Sequence, residues 1–118
     1  MGQSTVSKVS LQVGSVVTVV FPFSNLAGQK IRPALVLAKV EFDNLILCQI
    51  TSKSYSSKTA LCIKSEDFTG SYLPVTSFIR PDKLFTADAT IIKNVVGQLT
   101  PKVKNKILKN VCRLFISS

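Results

Sequence analysis

Lys30-Ile31-Arg32-Pro33-Ala34-Leu35-Val36-Leu37-Ala38 sets an arginine directly against a proline and then continues through five apolar residues. Proline pushes the residue before it toward an extended conformation and can open a strand, where its missing N–H does least harm. The run 34–38 is too short for an ordinary helix and reads as a strand buried on both faces. A permanent cation thus stands at the rim of a core, on the end of a rigid element. That is a useful place for a residue that handles phosphate.

On the N-terminal side, Gly14 opens a β-branched run over 16–21 that reads as a first core strand and stops at Pro22. The loop from Ser24 to Lys30 joins it to the arginine strand, so its tip is expected beside Arg32. It serves either as a lid over a site or as an ordinary hairpin connection. On the C-terminal side, a turn at 41–44 leads to a third apolar strand over 45–50, ending at Thr51-Ser52-Lys53. The segment 52–58 is polar and basic, and its Tyr55 can stack on an RNA base or merely pack.

Further strands are expected over 60–64, 74–79 and 84–87, the last two separated by Arg80-Pro81-Asp82-Lys83. Gly97-Gln98-Leu99 is a break before the one convincing helix. Thr100 is a good N-cap and Pro101 fits the first helical position. Val103, Ile107, Leu108, Val111, Leu114 and Phe115 recur at helical spacing as one apolar stripe. Its other faces carry Lys102, Lys104, Lys106, Lys109 and Arg113, with no acid. Five to seven short strands and a terminal helix describe a mainly β, α+β domain, a small β-barrel capped by the helix.

With 118 residues the chain forms a single domain over 13–118, preceded by a flexible polar arm over 1–12. Hydrophobic residues make up 46% and charged ones only 18%, yet the net charge is +9. A compact apolar protein with that surplus crowds positive charge onto a small surface and favours an anionic partner, nucleic acid first. Solubility alone, an acidic protein or a membrane surface are the other readings of the same charge. Three widely spaced cysteines, Cys48, Cys62 and Cys112, suit a cytoplasmic protein, with Cys48 and Cys62, in apolar strand-like runs, read as reduced core thiols. There is no histidine, so Ser-His and Cys-His nucleophile pairs are excluded and a dedicated transition-metal site is not expected. No apolar run reaches bilayer length. Any catalysis must therefore run on Arg, Lys, Asp, Glu, Ser, Thr or Tyr.

Five blocks then fall into a recognisable order: residues 14–23 ending Phe-Pro-Phe, Arg32-Pro33-Ala34-Leu35-Val36-Leu37, Gln49-Ile50-Thr51-Ser52, residues 77–84, and Val96-Gly97-Gln98-Leu99. Together they resemble the PemK/MazF family of toxins over roughly residues 13–115. The resemblance implies an SH3-like barrel and a homodimeric, metal-independent endoribonuclease without cofactor. Such an enzyme cuts single-stranded mRNA and is blocked by a cognate antitoxin. It also implies attack by the 2′-hydroxyl, leaving a 2′,3′-cyclic phosphate and a 5′-hydroxyl.

Carried over residue by residue, Arg32 and Thr51 match the family's active-site arginine and threonine, and Arg80 and Asp82 match an arginine and an aspartate given acid and base roles in some members. Lys30, Ser52, Lys53, Tyr55 and Ser77 are the expected RNA contacts. A guanidinium hardly releases its proton, so Arg32 and Arg80 are better read as electrostatic stabilisers, with Asp82 as acceptor of the 2′-hydroxyl proton. Several members carry a histidine or an acid in the loop before the Arg-Pro block, and 24–31 here has neither. Two other classes fit the same barrel: a non-catalytic RNA- or protein-binding module, and a gyrase-poisoning toxin. The latter does not share the Arg32-Pro33 and Thr51-Ser52 pairs.

Overall fold

Gly14 turns the chain at φ +97°, a conformation open to a residue without Cβ, and the β-branched run behind it extends as β1 (Ser15–Pro22). The computed structural model describes residues 11–22, 29–53 and 60–117. β2 (Gln29–Val40), β3 (Asn44–Thr51), β4 (Leu61–Ile63), β5 (Phe68–Thr69), β6 (Ser77–Asp88) and β7 (Ile92–Leu99) follow, and α1 (Pro101–Ser117) closes the chain. All the described strands belong to one antiparallel sheet, ordered β4-β6-β3-β2-β1-β7-β5. Short β4 and β5 stand at its two edges, so the sheet curls into a half-barrel.

Side chains alternate between the two faces of a strand, and here each face has its own core. On one face Leu35, Cys48, Ile50 and Ile79 pack with Ile107 and Val111 of α1. On the other, Val17, Val19, Ala34, Val36 and Leu47 pack together with Leu11. Leu35 and Val36, neighbours in sequence, are 1% and 0% exposed, so β2 is buried on both sides as its composition requires. The described chain is anchored at its start, because Leu11 is itself buried.

α1 begins where the capping residues place it: Thr100 Oγ1 accepts the Val103 N–H at 3.4 Å. Ile107 and Val111 are buried beneath it. Phe115 departs from the expected stripe, for it is 68% exposed near the helix end. Its spacing is right, but α1 has by then run past the sheet that it covers.

Four strand expectations change. β2 already begins at Gln29, so Lys30 is in the strand and not the loop, and Pro33, opposite Thr18, lies inside the strand and does not open it. Residues 77–79 and 84–87 belong to one twelve-residue strand, β6, rather than two, and 74–76 lie before it outside any strand. Pro81 does not break it because the β3–β6 ladder passes from Gln49↔Arg80 to Cys48↔Leu84, so the proline sits in an irregularity where no ladder N–H is needed. β7 takes in the expected break at 97–99 and the residues before it, for which the sequence offers no strand because Lys93-Asn94 interrupts the apolar pattern. Both are exposed, while Ile92 and Leu99 are buried. β5, two residues long, has no periodicity to read. Among the described residues no helix is long and apolar enough to cross a membrane.

Candidate functional site

Strand register brings together residues that are far apart in sequence. Arg32 lies opposite Val19, Ala34 opposite Gln49, Gln49 opposite Arg80, and Thr51 opposite Phe78. Cross-strand partners and alternate residues share a face. Arg32, Gln49, Thr51 and Arg80 therefore occupy the face whose inner part is Val19, Ala34, Val36 and Leu47. The apolar rows end and polar side chains take over at one end of the sheet.

At that end lies a groove of about 470 Å³, lined by residues 30–33, 50–53, 73–75 and Ser77. Consecutive residues of two strands line it, so it runs across the strand ends and draws on both faces. Among the described residues Lys30, Arg32 and Lys53 are its charged lining, and no acid lines it. Thr51 Oγ1 accepts the Lys53 N–H at 3.1 Å, which fixes the oxygen and leaves the hydroxyl able to donate to a ligand. Exposed Ser52 and Lys53 stand at the mouth. Ser77 is buried and its Oγ donates to the Val75 carbonyl at 3.0 Å, so that hydroxyl ties the groove wall in place.

Arg80 and Asp82 do not line the groove. Arg80 donates from Nε and Nη2 to the two Asp82 oxygens at 3.2 and 3.1 Å, in a paired geometry. This hydrogen-bonded guanidinium holds the Asp82 carboxyl below its usual range. Burial first, and then the Asp82 charge, push the Cys48 thiol up to about 12, so it stays protonated and inert. Among the described residues no cluster of three or more His, Cys, Asp or Glu stands ready for a metal. Tyr55 lies outside the described residues.

Arg32, Thr51, Lys30, Ser52, Lys53 and Ser77 thus meet in one groove, with Arg80 on the neighbouring row and Asp82 bound to it. Sequence reading missed the apolar half of the groove: Ile31, Pro33, Leu73, Pro74 and Val75. A signal was there, since Leu73-Pro74-Val75 is an apolar tripeptide in a turn segment. It was absorbed into an expected strand. A second hollow, about 430 Å³ on α1 beside Lys109, Cys112 and Arg113, is basic too but has no hydroxyl among its lining side chains.

The chain matches the family of PemK-like, MazF-like toxins of type II toxin–antitoxin systems over residues 12–115. No curated protein matches it in sequence. Among solved structures it is similar to an endoribonuclease in complex with its cognate antitoxin from a mycobacterial species, at 15% identity and a TM-score of 0.70, covering 92% of this chain and 98% of that one. The MazE–MazF complex from Deinococcus radiodurans gives 18% identity and a TM-score of 0.71, with the same coverage. For the toxin MazF-mt6 from Mycobacterium tuberculosis the values are 15% and 0.63, over 86% of this chain and 96% of that one.

Proposed function

From membership in the PemK-like, MazF-like toxins of type II toxin–antitoxin systems, to which this chain belongs, we propose that it is a cytoplasmic endoribonuclease cutting single-stranded mRNA. A cognate antitoxin holds it silent, and two copies form the working unit. The observation that carries the reading is that Arg32 and Thr51 line one groove whose described lining holds no acid.

Attack of a 2′-hydroxyl on its own phosphodiester builds negative charge on the non-bridging oxygens. Arg32 meets that charge with paired hydrogen bonds from the outer part of β2, and Thr51 adds a hydroxyl donor. Lys30 and Lys53 hold the flanking phosphates. The attacking oxygen forms its bond to phosphorus as the bond to the 5′-oxygen breaks, and the departing oxygen takes a proton from water, giving the cyclic phosphate and a 5′-hydroxyl.

Asp82 is a poor base while Arg80 holds it, because a carboxylate stabilised by hydrogen bonds gives up that stabilisation when it takes a proton. Its role in this reading is to orient Arg80, and the attacking hydroxyl's proton leaves to water. That revises the base role which the resemblance implied.

Sequencing RNA ends after incubation with the purified protein in EDTA is the direct test. Defined cuts with 5′-hydroxyl ends, lost in Arg32→Ala, are expected. An absence of cuts by folded wild-type protein would overturn the enzyme reading and leave a binding module.

A further inference from the structure

One wall of the groove is held from two sides, and one of its holds is an absence. β5 pairs with β7 through Phe68↔Leu99 and Thr69↔Gln98, and the chain then passes over Gly97 before descending to the groove as Leu73-Pro74-Val75. A Cβ on Gly97 would lie 2.0 Å from the Ser71 carbonyl oxygen and 2.9 Å from its carbon. Two such atoms cannot share that space. The Ser71 peptide would have to withdraw by about 1 Å, and Leu73–Val75 are only two to four residues on. At the far end, Ser77 Oγ holds the Val75 carbonyl at 3.0 Å. The segment between is therefore seated at a fixed height.

This wall is apolar and faces water: Val75 is 56% exposed, and Ile31 on the opposite bank is 60% exposed. An apolar pair beside a cationic floor matches a single-stranded nucleotide, whose phosphate is charged and whose base has an apolar face. We infer that the Leu73–Val75 wall, with Ile31, selects the base flanking the scissile phosphate, and that Gly97 is the positioning residue that sets the gap between these banks. The inference rests on the RNA reading above and adds to it where selectivity resides. Groove side chains act on the base directly; Gly97 acts through the Ser71 peptide, with the Phe68 ring 3.2 Å from the same Cβ position.

The test compares wild type, Gly97→Ala and Val75→Ala on three readouts. These are the cut-site profile on a random single-stranded RNA pool, kcat and KM on the preferred wild-type sequence, and binding of that sequence carrying a 2′-deoxy nucleotide at the cut. Gly97→Ala and Val75→Ala should each raise KM and Kd about tenfold, the scale of a one-methylene misfit in a pocket. Both should hold kcat within about threefold and relax the profile at one position beside the cut. An unchanged profile in folded Val75→Ala, or a fall in kcat without a change in KM, overturns the inference. Should Gly97→Ala not fold, Val75→Ala decides alone. Wild-type protein that enriches particular bases from the random single-stranded pool by binding, in a Val75-dependent way, but cuts nothing would sink the enzyme reading and leave base selection by this wall standing. No binding at all would sink both.

Discussion

Arg80 and Asp82, two residues apart on β6, grip each other through two hydrogen bonds, Nε to Oδ1 at 3.2 Å and Nη2 to Oδ2 at 3.1 Å. Alternate residues on a strand project to one side, so Asp82 lies within reach of the guanidinium and holds it. The Arg80 side chain is only 15% exposed, and Asp82 restricts where its charge can point. Asp82→Asn should leave the protein folded and let that charge wander. Small misplacements of an electrostatic group cost up to about 100-fold in rate. The loss is expected in kcat, with KM nearly constant, and smaller than the loss in Arg80→Ala. Equal losses would mean that Asp82 does chemistry of its own.

The same pair makes stability depend on acid. Asp82 has its folded pKa below the ordinary 3.8, chiefly because Arg80 hydrogen-bonds the charged form. The unfolded chain therefore takes up this proton first, and stability falls as pH drops through that range. The contribution is whole above about pH 5 and lost once the folded carboxyl is protonated. Melting curves of wild type and Asp82→Asn should converge as pH falls from about 6 toward 3. Asp82 is 39% exposed, which keeps the difference small. A gap that widens in acid would contradict the pairing.

Where the sequence was informative, the physics was local. Arg32-Pro33 followed by 34–38 could only be a strand buried on both faces, and Thr100-Pro101 could only start a helix. Both follow from single residues acting on their neighbours. Illegible parts needed partners. β7 breaks its own pattern at Lys93-Asn94 and gains its ladder from Val16, Val17 and Thr18. The two-residue β5 exists only because β7 is beside it. The meeting of Arg32 with Thr51 was available through family resemblance, whereas the Leu73–Val75 wall was not. That wall owes its place to Ser71 lying over Gly97, a contact 26 residues apart in sequence and invisible to any window.

Arg32 should matter to rate far more than to folding. It is exposed on β2, three residues in from Gln29, so truncation opens no cavity. Arg32→Ala is expected to keep the wild-type melting curve and lose about 100- to 1000-fold in kcat, the usual effect of removing one preorganised donor from a developing oxyanion. Arg32→Lys should recover binding more than turnover, because an ammonium supplies the charge without the planar fork. Full activity in the lysine variant would show that charge alone suffices. In cells, expression of wild type without an antitoxin should arrest growth and Arg32→Ala should not.

Thr51 separates a donor from a strand former. Its Oγ1 already accepts the Lys53 N–H at 3.1 Å, so the hydroxyl sits in a defined place with its hydrogen directed by whatever ligand arrives. Thr51→Val keeps the β-branched shape but removes both the acceptor and the donor. Thr51→Ser keeps both and gives up only a methyl group. If the hydroxyl contributes to the transition state, valine should cost about 100-fold in kcat and serine no more than a few-fold. Thr51 is half-buried at the strand end, so neither change should lower the melting temperature by more than a few degrees. Parallel losses in both variants would point instead to the methyl packing against the groove, and the donor role would fall.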